Sequence, residues 1–281
     1  MIADVPAIVR ALVLTTGICS LPLLAAQQRA EVPSTSQKLN LDQILSKLEE
    51  HNAERASALQ EVQGTRIYRM EYHGFPSDRD AEMVVKADFH APDSKKFVVV
   101  SETGSRFVID HVFKKLLESE QEAFTAENRR SMALNRDNYD FELAGFEPAP
   151  DGGRYVLKLA PKTKSKFLYR GTVWVDATDF AVVRIQGEPV KNPSMWIKKT
   201  EIAHTYKKVE DFWLPAENRT ESFIRMGGKA TLSIKYQDYK VTRSAPVSAK
   251  TSGTPNARRR QALAGAEPAV WASHITIIGT P

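Results

Sequence analysis

The sequence contains very little cysteine: Cys19 is the only one among 281 residues. It lies inside an apolar N-terminal segment, so a chain from which that segment is removed has no disulfide and no thiolate chemistry. The fold must then be held together by its hydrophobic core alone. With 42% hydrophobic and 26% charged residues, the composition is that of an ordinary globular protein with ample material for such a core.

A hydrophobic run long enough to cross a membrane is also missing. Residues 11–26 carry no charge and follow Arg10, but they fall short of the roughly 20 residues that a transmembrane helix needs. One positive charge, a short apolar run and small residues before a polar stretch are typical of a secretory signal peptide, here with cleavage after Ala26. We expect residues 1–26 to direct export to a bacterial periplasm, which suits a domain without disulfides. An uncleaved N-terminal anchor in the inner membrane is the alternative.

Catalytic motifs are absent too. The sequence has no Gly-x-Ser-x-Gly nucleophile motif, no phosphate-binding glycine loop and no dinucleotide-binding glycine pattern. Its six histidines are scattered without a His-Glu-x-x-His motif. Asp176 and Asp179 fall in a predicted turn, where carboxylates usually stabilise the turn itself. We therefore expect no metal, no cofactor and no catalytic residue; a hydrolase with an unrecognised acid pair is the alternative.

The net charge is modest and unevenly placed. The formal charge is +5, and about +3 of it lies in residues 244–281, where Lys250 and the run Arg258-Arg259-Arg260 face only Glu267. The rest of the chain is close to balanced and lacks the basic, aromatic-lined face that nucleic-acid binding requires. Because residues 244–281 are also dominated by Ala, Ser, Thr, Gly and Pro, we predict a disordered basic tail there and no nucleic-acid partner.

Between these ends, the pattern predicts a linker at residues 27–38 and one domain over residues 39–243. Leu41 to Val62 carries apolar residues at helical spacing, and Asn40 or Asp42 can cap the start. A second amphipathic helix, from Phe107 to Phe124 within residues 106–134, interrupts the strands that surround it.

The remaining segments alternate with period two, which is the pattern of half-buried strands. In residues 66–72, Tyr68, Met70 and Tyr72 fall on one face. Further strands are predicted at Met83–Phe89 and Lys96–Ser101, and residues 139–241 are rich in strands, with turns at 151–153, 176–179, 187–189 and 227–228. Helices do not alternate with strands, which argues against a parallel doubly wound sheet. The predicted fold class is α+β, mostly β, with a large antiparallel sheet whose apolar face the two helices cover.

The candidate site is an apolar space between the sheet and the helices. Aromatic residues and methionine suit an adaptable pocket for acyl chains, but they also make an ordinary packed core, and pattern alone does not separate a hollow core from a solid one. The residues predicted to line the site are Tyr68, Met70, Tyr72, Phe97, Val99, Phe107, Phe113, Leu116, Tyr155, Leu157, Trp174 and Trp196.

A predicted strand that ends in a Val-Asp turn, Tyr169–Asp176, leads into a strand of the kind Val-x-Arg-Ile within Asp179–Pro189. Further segments of strand and turn character follow at Trp196–Lys199, Tyr206–Pro215 and Leu232–Tyr239. With this series of segments, residues 165–240 resemble the outer-membrane lipoprotein-sorting (LolA/LolB-like) superfamily, and over residues 40–140 the resemblance is architectural only.

This resemblance implies an incomplete, strongly curved antiparallel β-barrel with helices on its concave side and an apolar cavity that shields lipid chains in the periplasm. The implied ligand is a lipid or an acylated protein, with envelope proteins and peripheral contact with a membrane as further expectations. Cys19 lacks the flanking residues of a lipoprotein signal, so a soluble carrier is favoured over an anchored receptor. The alternative is a non-transporting envelope module, a stress sensor or assembly factor, that binds a protein partner.

Overall fold

The computed structural model describes residues 39–244, apart from residues 93, 124, 166, 192–194 and 226. The predicted signal peptide (1–26), the predicted linker (27–38) and the predicted tail beyond Ser244 lie outside the described residues. So does Phe124, at the predicted end of the second helix.

Ten antiparallel strands form one sheet. Their bounds are β1 Leu59–Gly74, β2 Arg79–His90, β3 Ser94–Gly104, β4 Tyr139–Glu147, β5 Arg154–Pro161, β6 Tyr169–Asp176, β7 Val182–Pro189, β8 Ile197–Val209, β9 Phe212–Ile224 and β10 Gly228–Arg243. The order across the sheet is β3-β2-β1-β10-β9-β8-β7-β6-β5-β4. The sheet is curved and open, with β3 and β4 at its edges, which confirms the predicted mostly-β fold and the incomplete barrel.

Helix α1, Leu41–Ala58, begins where the sequence predicts. The Asn40 side chain accepts a hydrogen bond from the Gln43 backbone amide at 2.9 Å, and the Gln43 side chain accepts one from the Asn40 amide at 3.0 Å. This reciprocal pair is a capping box, and it satisfies two amides that the first turn of a helix leaves without partners.

The predicted extension of this helix to Val62 is wrong, because β1 already begins at Leu59. The register of β1 against β10 shifts between Leu59 and Glu61. This β-bulge allows Leu59 and Val62 to be buried in one cluster although they are an odd number of residues apart. A spacing of three residues therefore imitates a helix inside a strand.

After β3, three helical segments follow one another without a gap between them: α2 Arg106–Val108, a π-helical turn Ile109–Phe113 and α3 Lys114–Ala123. We call this run, residues 106–123, the covering helix. The covering helix lies where the sequence predicts the second helix, Phe107–Phe124. A separate helix, α4 Ala126–Met132, follows it. No helix in the described part of the chain is long and apolar enough to cross a membrane.

The turn predicted at residues 187–189 is wrong, because these residues belong to β7. Gly187 pairs with Gly171 on β6. The strands approach so closely here that a Cβ atom on Gly171 would stand 2.0 Å from the Gln186 carbonyl oxygen. Glycine permits a close contact between strands at this point, where the sequence pattern indicates a turn.

The helices pack against one face of the sheet, which we call the inner face. One hydrophobic cluster joins α1 to strands β4–β8 through Ile44, Leu45 and Leu48 of the helix. A second cluster joins the covering helix to β1, β2 and β10. A smaller third cluster lies at the start of β1, with side chains from β2 and β9.

Candidate functional site

The second cluster brings together five of the residues predicted to line the site. Tyr68, Phe113 and Leu116 are buried in it, and Met70 and Phe97 are partly buried against it. The rings of Tyr68 and Phe113 have centroids 5.9 Å apart, so the covering helix contacts β1 directly. The buried side chains of the covering helix pack against those of β1, β2 and β10 in this cluster.

The other predicted residues lie elsewhere, and a role for them in ligand binding stays a prediction. Tyr155 and Leu157 belong to the cluster under α1. Trp174 lies between the buried Val173 and Val175, so it projects from the outer face, where the Arg184 guanidinium is 4.6 Å from its ring. The remaining four are half-buried or exposed: Tyr72, Val99, Phe107 and Trp196.

Buried polar side chains separate the two large clusters at the centre of the inner face. Asn218 donates a hydrogen bond to the Tyr236 hydroxyl at 2.9 Å, and the hydroxyls of Thr200 and Ser222 are 3.3 Å apart. The Asn218 carbonyl oxygen accepts no hydrogen bond from the described residues. This polar strip, which also includes Thr220, divides the inner face into two apolar regions, each with its own helix.

A buried ion cluster ties the covering helix to the sheet. The Glu120 carboxylate on α3 accepts a hydrogen bond at 2.7 Å from Arg66 on β1, and its other oxygen accepts one from the Lys95 ammonium on β3. The side chains of Arg66, Lys95 and Glu120 are only 9%, 4% and 10% exposed. The Arg66 guanidinium also lies 5.2 Å from the ring centres of Phe97 and Tyr236.

Burial is the largest influence on the pKa values in this cluster. Burial lowers the pKa of Lys95 to about 8, although Glu120 works in the opposite direction. In Glu120, burial acts to raise the pKa, but attraction by Arg66 and Lys95 outweighs it and holds the pKa at about 2. At neutral pH all three groups are charged, and the cluster has one more positive than negative charge.

Sequence reasoning missed this ion cluster, although it left a signal. Side chains on one face of a strand recur every second residue, so Arg66 is in phase with Tyr68 and Lys95 is in phase with Phe97. A cation in phase with an apolar face is either exposed at an edge or paired inside. The partner, Glu120, is 54 residues from Arg66, and strand periodicity contains no information about it.

A cavity of about 30 Å³ lies beside the ion cluster, and Arg66 and Lys95 both line it. A water molecule needs roughly 10–15 Å³ of such a cavity, so there is room for about two waters and far too little for an acyl chain. The apolar part of its wall is formed by Val62, Phe89, Leu214, Pro215, Tyr236 and Tyr239.

One group of side chains on the outer face could contact a metal ion. Glu61, Asp88 and His90 place one ligand atom each within 4.8 Å of one another. Glu61 pairs with His90 across β1 and β2, and Asp88 is two residues away on the same face. His90 and Asp88 already contact each other at 3.2 Å, which is an ordinary arrangement for an exposed histidine and carboxylate.

No protein-family model matches the chain, and no curated protein matches it. Solved structures similar to it include a LolA superfamily protein from Nitrosomonas europaea, at 12% identity and a TM-score of 0.33, covering 74% of this chain and 96% of that one. An outer-membrane lipoprotein-sorting protein domain from Vibrio parahaemolyticus is similar at 12% identity and a TM-score of 0.36, covering 80% of this chain and all of that one.

MucB in its complex with MucA, from Pseudomonas aeruginosa, is similar at 11% identity and a TM-score of 0.22, covering 71% of this chain and 93% of that one. The similar solved structures thus include proteins of the superfamily that residues 165–240 resemble, all at low sequence identity.

Proposed function

We propose that this domain binds a lipid, or the acyl chain of a lipoprotein, on the inner face of the sheet beneath the covering helix, and that it does so in a bacterial periplasm. The observation that supports this proposal best is the covering helix itself. It lies over an apolar patch that includes Met83, Val85 and Ile234, each at most 1% exposed. Removing the helix would therefore open a continuous apolar surface.

The π-helical turn gives the covering helix a place to bend. Residues Ile109–Phe113 interrupt the α-helical hydrogen bonds, and such turns occur frequently at functional sites. Ile109, Val112 and Phe113 are the buried members of this turn, so bending there would lift the side chains that fill the site. Glu120 lies about two turns beyond Phe113 along the same helix.

The free energy gained when the covering helix packs on the sheet is similar in size to the free energy gained when an acyl chain is buried there. Five buried side chains of the covering helix belong to this cluster, and each contributes about 1.5–3 kcal/mol, or roughly 8–15 kcal/mol together: Val108, Ile109, Val112, Phe113 and Leu116. An acyl chain gains about 0.8 kcal/mol per buried CH₂, so roughly 10–19 such groups offset the loss. Long acyl chains fit this requirement and small apolar molecules do not.

Lipid uptake by the full chain tests the proposal. We expect protein purified from the periplasm to retain lipid in native mass spectrometry and, once delipidated, to take up a fluorescent long-chain fatty acid. Leu116→Gln weakens packing under the covering helix and should speed uptake. Leu48→Gln is a matched change under α1, also costing about 2–5 kcal/mol, and should not. Wild-type protein that retains no lipid and takes up none contradicts the proposal.

A protein partner is the second candidate, and the edge strand β3 favours it. Val98, Val99 and Val100 are 61%, 42% and 55% exposed, and among the described strands β3 pairs only with β2. An exposed apolar edge is a template on which an extended segment of another protein can add a strand. A photo-crosslinker at Val98 should then capture one stoichiometric partner that Val99→Lys releases. If Val99→Lys leaves the captured partner unchanged, the edge strand β3 is not its binding site.

A further inference from the structure

Four segments of the chain lie at one end of the sheet, which we call the aromatic rim. They are together because neighbouring strands run antiparallel. The end of β1 pairs with the start of β10 at Gly74 and Gly228, and the end of β9 pairs with the start of β8 at Ile224 and Ile197. Strand β3 also ends there and leads into the covering helix. The four segments are residues 73–80, 103–107, 195–199 and 224–228, residue 226 apart.

The aromatic rim carries large apolar side chains that face water. Phe75, in the turn between β1 and β2, is 73% exposed, and Met195, just before β8, is 79% exposed. Trp196 and Phe107 are exposed as well, and both are residues that the sequence predicts to line an apolar site. Four such side chains at one end of a domain mark that end as an interaction surface.

Positive charge accompanies these side chains. The four segments contain five lysines and arginines but only two aspartates. The Arg79 guanidinium lies 4.7 Å from the centre of the Phe107 ring, and the Arg225 Nε donates a hydrogen bond to the Met195 carbonyl at 2.8 Å. Each of these arginines therefore stands beside an exposed apolar residue.

A bilayer with anionic lipids suits this combination better than a protein partner does. The exposed side chains are distributed from β3 to β8, over five strand spacings or roughly 24 Å, so they do not form a compact patch that one protein pocket could cover. A membrane interface accepts each side chain separately; tryptophan is enriched there, and anionic head groups attract lysine and arginine. At the opposite end of the sheet, the turns 90–94 and 209–212 contain three acidic residues and no lysine or arginine.

We infer that the aromatic rim docks on a membrane surface that contains anionic phospholipid, with Phe75, Met195 and Trp196 among the head groups and Arg79 and Arg225 beside the phosphates. This docking goes beyond the proposed function, because it requires no acyl site in the domain. It brings the start of the covering helix to the membrane surface, where a lipid that leaves the bilayer would meet the inner face.

Co-sedimentation with vesicles tests this inference. The full chain is mixed at pH 7 with vesicles of phosphatidylcholine, and with vesicles in which one lipid in three is phosphatidylglycerol. We expect about tenfold tighter binding to the anionic vesicles, weakening as salt is added. Phe75→Ser and Met195→Ser should each weaken binding about tenfold, because one apolar side chain no longer enters the interface. Val98→Ser is the matched control and should leave binding unchanged, since Val98 is exposed but lies midway along β3.

Quenching by brominated lipid measures the orientation. Such vesicles should quench the protein's fluorescence less in Trp196→Phe than in Trp213→Phe, because Trp213 lies at the start of β9, at the opposite end of the sheet. Equal binding to both vesicle types overturns the inference. So does binding that Phe75→Ser and Met195→Ser leave unchanged, which would assign it to the basic residues 244–281. Protein that takes up fatty acid but binds no vesicles refutes the docking alone, and protein that docks through the rim but takes up no lipid refutes only the proposed function.

Discussion

Replacing Glu120 by glutamine tests whether the ion cluster holds the covering helix to the sheet. The substitution keeps the shape of the side chain and removes the charge that Arg66 and Lys95 share. Both cations remain buried. Because removal of one partner leaves the other charges uncompensated, we expect E120Q to lower the free energy of unfolding at neutral pH by about 3–5 kcal/mol.

The same loss has a defined pH dependence. The pKa of Glu120 is about 2 in the fold, against an ordinary value of 4.5, so between these values the unfolded chain binds more protons than the folded one. The stabilisation is complete above pH 4.5 and is lost as the pH falls through 2. At 1.36 kcal/mol per pKa unit it amounts to roughly 3 kcal/mol. The difference in stability between wild type and E120Q should narrow by about this amount on acidification.

Urea unfolding followed by tryptophan fluorescence and circular dichroism measures both effects. Glu82→Gln is the matched control, because it removes the carboxylate of the Arg69–Glu82 pair, whose side chains are 57% and 35% exposed. Such an exposed pair contributes at most about 1 kcal/mol. If E120Q costs no more than E82Q at neutral pH, or if their difference does not change with pH, the ion cluster does not anchor the helix and the reasoning is refuted.

Three further predictions follow from single positions. Lys95 has a pKa of about 8 in the folded protein against an ordinary value of 10.5, so between these pH values the unfolded chain binds more protons and the stability of the fold should rise with pH. Thermal unfolding of the wild type at several pH values measures this rise. An equal rise in Lys95→Met would contradict the prediction. Gly171→Ala should lower the free energy of unfolding in urea by about 1–3 kcal/mol, because the added Cβ meets the neighbouring strand. Gly145→Ala is the control and should be nearly neutral, because a Cβ there has nothing within 4 Å. Equal losses of stability in the two variants would argue against close contact between the strands. Asn40→Ala should cost about 1 kcal/mol by removing the capping box, and an unchanged melting temperature would show that α1 does not depend on it.

The strands could be predicted from the sequence because the inner face is buried along most of the sheet. On β2, Met83 and Val85 are fully buried, and Lys86 beside them is exposed, which is the alternation that the sequence shows. The prediction failed where the backbone departs from this period. The bulge after Leu59 produces a spacing that also fits a helix, and only the pairing with β10 decides between the two.

Of the residues predicted to line the site, only some lie together, and the physical reason is their phase along the strands. All are apolar or aromatic, and those near the covering helix, such as Tyr68 and Phe113, belong to one cluster. Trp174 has the same apolar character but projects from the outer face, because its neighbours Val173 and Val175 occupy the inner one. Residue type indicates whether a side chain is buried. The face of the sheet on which it lies depends on its position in the alternation along the strand. The partner of a buried charge depends on how the covering helix packs on the sheet.

The ion cluster is a poor device for stability alone. Replacing buried ion pairs by well-packed apolar residues is often neutral or stabilising by about 1–4 kcal/mol, so leucines in place of these three charges would hold the covering helix at least as firmly. The three charges instead fix the position of the helix, because Glu120 reaches both Arg66 on β1 and Lys95 on β3 only when the covering helix is docked in one register on the sheet. Under the proposed function, opening the helix separates Glu120 from the two cations, and closing it must restore the same contacts. The ion cluster therefore gives the helix one defined closed position, which apolar packing alone specifies less sharply.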